Sequence, residues 1–144
     1  MSYHTWHTYG YGVEVTKLSV VSVDRFEELL GHAPQYAKRV HAHFDDCEIR
    51  TPTVDDYFDF EAEFEGMASF IGEVINEAEG IELVSCDDFD CRKYLLYTPE
   101  FPWYIPEKEK GLTEEKVRQL FFKYLSILTD DDIFIDYYEV ENGG

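Results

Sequence analysis

From Ser2 to Val15 the side chains alternate in character. The odd positions Tyr3, Thr5, His7, Tyr9, Tyr11, Val13 and Val15 are β-formers, and the even ones include His4, Thr8, Gly10, Gly12 and Glu14. Successive strand residues point to opposite faces, so this period of two predicts a strand. Gly10 and Gly12 within it predict a bulge or a bend.

The period then lengthens. Asp24 with Glu27 three residues on predicts an N-cap and its reciprocal carboxylate. Phe26, Leu29 and Leu30 follow, and Gly31 closes a short helix. Pro34 opens a second helix, in which Tyr36, Val40 and Phe44 recur every fourth residue. Residues 53–80 carry the strongest helical pattern. Thr53 is placed to cap it, and Val54, Tyr57, Phe58, Phe64, Met67, Ala68, Ile71, Val74, Ile75 and Ala78 form its stripe. Gly80 stands where a helix ends, and Gly66 is a candidate break.

Ile81–Cys86 and Arg92–Thr98 are β-rich and flank Asp87-Asp88-Phe89-Asp90, which predicts a hairpin. Residues 99–111, with Pro99, Pro102, Pro106 and Gly111, read as a loop pinned by Trp103 and Tyr104. Thr113, Glu114 and Glu115 start a last helix with the stripe Val117, Leu120, Phe121, Tyr124 and Leu128. Asp130–Asp132 is a turn and Ile133–Val140 a final strand. The order β-α-α-α-β-β-α-β predicts an α+β fold, a small, mainly antiparallel sheet with helices packed on it.

Composition sharpens this picture. The 144 residues amount to about one domain, which buries roughly 68–70% of its unfolded surface. Aromatic residues make up 17% of the chain, enough for a large core and far too many for a disordered acidic tail. Cys47, Cys86 and Cys91 form no CxxC pair, and the opening residues are not those of a signal peptide. No apolar run approaches the ~20 residues of a membrane span. The expected setting is the reducing cytoplasm.

Charge is the strongest functional signal. The net charge is -19, from 31 acids and 12 bases. Residues 1–44 are neutral, with Glu14, Asp24, Glu27 and Glu28 against Lys17, Arg25, Lys38 and Arg39. Between Arg50 and Arg92 stand 13 acids and no base. Such a surface repels nucleic acid and anionic membranes and attracts basic proteins. On a helix from Val54, Asp55, Asp59 and Glu63 share one face, and Asp56, Glu73 and Glu77 extend it. Each like-charge pair at this spacing costs about 0.2–0.5 kcal/mol. Two readings stand side by side, a solvated face that aids solubility and an array that imitates the phosphate backbone. Asp87, Asp88 and Asp90 on the hairpin turn offer a second contact.

Other chemistry is weakly indicated. His4-x-x-His7 and His41-x-His43, with Asp45, Asp46 or Cys47, suggest a metal site, but His4 and His7 of a strand point apart and His41 and His43 are badly spaced on a helix. Asp87, Asp88 and Asp90 lack the glycine and distal glutamate of a calcium loop. There is no GxSxG, phosphate loop or HExxH. No cofactor is expected.

Several segments carry a resemblance. Residues 2–12 (SYHTWHTYGYG), Tyr94-Leu95-Leu96-Tyr97, Pro102-Trp103, Leu128-Thr129-Asp130 and the ending Asp136-Tyr137-Tyr138-Glu139-Val140-Glu141-Asn142-Gly143-Gly144 resemble a family of small acidic proteins of intestinal bacteria and their mobile elements. The resemblance implies no activity or site. A mobile-element setting implies inhibition of host defence, as by an anti-CRISPR protein. The expectation is therefore a non-enzymatic acidic DNA mimic. Its partner would be a basic nucleic-acid-binding protein, first a Cas9-type CRISPR effector nuclease, whose positively charged channel and motif-reading arginines Asp55, Asp56, Asp59 and Glu63 would occupy. An interaction module for another basic partner comes second, and a metal-dependent enzyme using the histidines third. On this reading the neutral first 44 residues lie outside the acidic surface.

Overall fold

The computed structural model describes residues 5–16, 18–20, 22–60, 66–98 and 114–143. Four strands form one antiparallel sheet: β1 (Thr5–Glu14), β2 (Val84–Asp87), β3 (Lys93–Tyr97) and β4 (Asp136–Gly143), in the order β2-β3-β1-β4. β1 is central and shared. Its later half pairs with β3 from Tyr11↔Tyr97 to Glu14↔Tyr94, and its earlier half pairs with β4 from Thr5↔Gly143 to Gly12↔Asp136. The last strand therefore starts later than the sequence pattern predicts, at Asp136 rather than Ile133.

The two glycines of β1 bring neighbours close. Pairing runs through them in unbroken register, so there is no bulge there. A Cβ on Gly12 would sit 2.9 Å from Leu96 Cα and closer still to the Leu95 carbonyl oxygen, and one on Gly10 would sit 2.8 Å from the Tyr97 carbonyl oxygen. The bare backbone lets side chains of β3 and β4 meet across β1. Tyr94, Leu96 and Val140 form a small buried cluster there with Cys86 and Tyr138, and the Tyr94 and Tyr138 rings lie 5.2 Å apart. The sheet curls around this cluster until its two edge strands, β2 and β4, come within 8 Å at their Cα atoms.

The opposite face of the sheet carries the main core. Tyr11, Val13, Val15 and Leu95 pack there against five helices: α1 (Val23–Leu30), α2 (Pro34–Asp46), α3 (Val54–Asp59), α4 (Met67–Glu79) and α5 (Glu114–Leu128). The predicted stripes are largely the buried ones: Phe26, Leu29 and Leu30 on α1, Tyr36, Val40 and Phe44 on α2, and Met67, Ala68, Ile71, Val74 and Ile75 on α4, where Ala78 is exposed instead and Phe70 is buried. On α5, Val117, Phe121, Tyr124 and Leu128 are buried, Leu120 is only half-buried, and Leu125 completes the stripe. Each full burial of such a side chain is worth about 1.5–3 kcal/mol. Aromatic rings dominate the helical layer. Phe26 stacks on Tyr57 at 4.5 Å, and Phe70 meets Phe26 and Tyr36 edge-on at 5.5 and 5.3 Å.

Helix ends refine the sequence reading. α1 begins at Val23 with Ser22 at the N-cap, and Asp24 lies inside the first turn, where its charge still suits the helix dipole. The 53–80 pattern holds two helices, α3 ending at Asp59 and α4 starting after its N-cap Gly66, whose φ of 54° disfavours a side chain. Gly80 closes α4 in the left-handed conformation. The fold is thus α+β in the predicted order, with that segment present as α3 and α4. Pro99, Pro102, Trp103, Tyr104, Pro106, Gly111 and Thr113 lie outside the described residues.

Candidate acidic interface

The nine predicted contact residues separate into distinct groups. Asp55 and Asp59 stand one helical turn apart on α3, both exposed, with no hydrogen bond or ion pair to any described residue. Asp56 between them turns back. Its carboxylate accepts the Thr53 backbone N–H at 2.7 Å and the Thr53 hydroxyl at 3.1 Å, which fixes the start of α3. Glu63 lies outside the described residues.

The surroundings of α3 come from α1. Tyr57, buried against Phe26 and Phe44, donates its hydroxyl to Glu27 of α1. Burial, the bond to Glu27 and the nearby charges of Glu27, Asp24 and Asp56 together push the Tyr57 phenol well above its ordinary range. His41 Nε2 of α2 lies 3.0 Å from both Glu27 oxygens. Glu27 thus ties three helices together, and Asp24, Glu27 and Asp56 lie near the Tyr57 hydroxyl. The N-terminal segment is neutral in sum, but two of its acids, Asp24 and Glu27, come close to Tyr57 of α3. Sequence spacing carries no sign of this, because residues about 30 positions apart are brought together only by packing.

Glu73 and Glu77 of α4 face α2. Both Glu77 oxygens accept backbone N–H groups at the start of α2, from Gln35 at 2.9 Å and Tyr36 at 2.8 Å. The α2 N-cap residue is Ala33, which has no side chain able to do this, so Glu77 caps the helix from outside. Glu73 sits 3.6 Å from Arg39. Neither carboxylate is left over for a partner in the way that Asp55 and Asp59 are.

The hairpin acids are still more committed. Asp88 Oδ1 accepts the N–H groups of Asp90 at 2.9 Å and Arg92 at 3.0 Å, and Oδ2 accepts Arg92 Nε at 2.7 Å and the Tyr94 hydroxyl at 3.1 Å. Burial pushes the Asp88 carboxyl upward, but the bonds from Arg92, Tyr94 and Asp90 outweigh it and hold the group below its ordinary value. Burial and the Asp88 contact in turn push the Tyr94 phenol up to about 12. Asp87 pairs with Lys93 Nζ at 3.2 Å, and Asp90 with Arg92 Nη2 at 3.2 Å. The two bases that follow the 13-acid stretch thus offset two of the three charges at its hairpin end.

The described histidines do not converge. His7 pairs with Glu139 at 3.0 Å, His41 with Glu27, and His43 packs edge-on against Phe60 with its ring 3.9 Å from Cys47 Sγ. His4 lies outside the described residues. Among the described residues no three His, Cys, Asp or Glu side chains gather as metal ligands, and no helix is long and apolar enough to cross a membrane. Comparison with protein families, with curated proteins and with solved structures returns no match.

Proposed function

We propose that this chain is a non-enzymatic acidic inhibitor that acts in the cytoplasm by occupying a basic nucleic-acid-binding surface on another protein. One observation carries the reading. Asp55 and Asp59 are exposed on α3 and uncompensated by any described residue, although like-charge repulsion opposes the arrangement. Anionic groups on a rigid helix can engage the lysines and arginines that otherwise hold phosphates. A Cas9-type effector is the first target to try, since its channel is basic and the chain resembles proteins of mobile elements. The contact centres on α3. The hairpin acids, already paired within the chain, contribute little.

Competition with target DNA for a purified effector tests the proposal. Wild type is expected to displace DNA, less effectively as salt rises, because the interaction is ionic. Asp55→Lys with Asp59→Lys should abolish displacement, whereas Glu82→Lys with Asp132→Lys, the same charge change at other exposed acids, should not. Asp56 and Glu27 stay unaltered, because both hold the fold. If the α3 double variant folds and still displaces DNA, that face is a solvated surface. If wild type never competes for such an effector, the reading retreats to an acidic module for another basic partner.

A further inference from the structure

α2 ends on two side chains of a kind that ligate metals. His43 lies in its last turn, and Cys47 is its C-cap residue. The Cys47 backbone N–H donates to the His43 carbonyl at 3.0 Å, so the helical repeat runs through both residues. Residues four apart on a helix share one face, and Cys47 Sγ stands 3.9 Å from His43 Nε2 and 4.0 Å from Nδ1. Zinc holds thiolate sulfur at about 2.3 Å and imidazole nitrogen at about 2.0–2.1 Å in a tetrahedral arrangement, which sets the two donor atoms about 3.6 Å apart. The pair is within about 0.3 Å of that spacing. Rotation of the exposed imidazole about its Cβ–Cγ bond brings a nitrogen lone pair onto the ion. His41, the other histidine of α2, is engaged elsewhere, with Glu27.

The surroundings favour a cation. The C-terminal end of a helix carries partial negative charge, and Asp45 and Asp46 add to it there at a cost that a dication offsets. Glu48 follows, and all three acids are exposed. The Phe60 and Phe44 rings lie 5.3 and 6.1 Å from the His43 ring and restrict it. We infer that His43 and Cys47 bind a zinc-class cation through one imidazole nitrogen and the thiolate, with the thiol proton released to solvent. Among the described residues no third ligand joins them, so the remaining positions on the ion fall to water. Both side chains are exposed, and the ion enters without any opening of the fold. Thiolate and imidazole select zinc over calcium and magnesium, which take oxygen donors. This site makes no use of Asp55 or Asp59 and does not depend on the reading proposed for them.

Calorimetric titration of the full chain with zinc chloride tests the site. Excess magnesium is present throughout, so that plain carboxylates are already occupied. Wild type should bind one zinc ion per chain. Cys47→Ala and His43→Ala, each checked for fold by circular dichroism, should each weaken binding at least ~10-fold, since loss of an outer-shell partner alone already does so. Cys91→Ala, which removes another exposed thiol, should leave binding unchanged. Cobalt in place of zinc should give wild type a thiolate-to-metal charge-transfer band that Cys47→Ala lacks. No saturable zinc binding by wild type, binding that survives either Cys47→Ala or His43→Ala, or a cobalt band that persists in Cys47→Ala would each overturn the inference.

Discussion

The hairpin turn and the α1–α3 face are both rich in carboxylates, and they use them in opposite ways. At the turn, Asp88 spends both oxygens on its own chain, receiving two backbone N–H groups, a guanidinium and a phenol. On α3, Asp55 and Asp59 receive nothing from the described residues. The difference lies in what the backbone nearby leaves unpaired. A tight turn exposes N–H donors that need an acceptor. Asp55 and Asp59 lie inside α3, where Asp56 already takes the donor at its start. A carboxylate is free to meet a partner only when no local donor claims it, and a count of acids cannot tell the two cases apart.

The largest expected effect separates the two regions by stability. Asp88→Ala should cost about 2 kcal/mol, because it removes several bonds to one charged group. Asp55→Ala and Asp59→Ala should change stability by no more than about 0.5 kcal/mol. Urea unfolding measures both, and equal costs would erase the contrast. The same contrast has a pH signature. The folded-state Asp88 carboxyl is held below its ordinary value of 3.8, so its contribution is present above that pH and fades as pH falls through the lower folded value. The gap between wild type and Asp88→Asn should therefore narrow in acid. Tyr94 behaves oppositely. Its folded value is raised from 10.0 to about 12, so its contribution is full below pH 10 and is lost as pH rises through about 12. In Asp88→Asn the Tyr94 ring resonance should titrate closer to 10.0.

A smaller effect divides α4 within itself. Glu77→Ala should cost about 1–2 kcal/mol, as the loss of a helix cap does. Glu73→Ala, one turn earlier, removes only an exposed ion pair and should cost at most about 0.5 kcal/mol. Thermal melts of the two variants decide this, and a cost at Glu73 matching that at Glu77 would mean that the Arg39 pair, not the cap, joins α4 to α2.

These cases show where sequence reading stops. The helices and strands were legible because burial imposes a period: Tyr36, Val40 and Phe44 could face only one way, and Gly66 and Gly80 marked real ends. Gly10 and Gly12 were legible as a departure from plain strand, but not as the gap through which β3 and β4 side chains touch, since that depends on which strands flank β1. The acidic surface was legible as charge and not as function. Asp88 sits in a turn-like run, so its role as an acceptor had a local signal that the charge pattern overshadowed. Glu77 and Glu27 had none, because the donors they serve lie 41 and 30 residues away in the chain.

The smallest prediction returns to the turn. Cys91 has φ 61°, the left-handed region, where a side chain costs about 1–2 kcal/mol and glycine costs nothing. Its thiol is exposed, so little packing is lost with it. Glycine also loosens the unfolded chain, which takes back about 0.5–1 kcal/mol. Cys91→Gly should therefore stabilise the protein by about 0.5 kcal/mol. Asp55→Gly, in the first turn of α3, should destabilise it by about 0.3 kcal/mol, the small gap in helix propensity between aspartate and glycine. The same replacement thus carries opposite signs in the two regions, and paired urea titrations can resolve it. Loss of stability in Cys91→Gly would mean that the Asp88 bonds to Asp90 and Arg92 already hold the turn without strain, and that the backbone at Cys91 stores nothing for glycine to release.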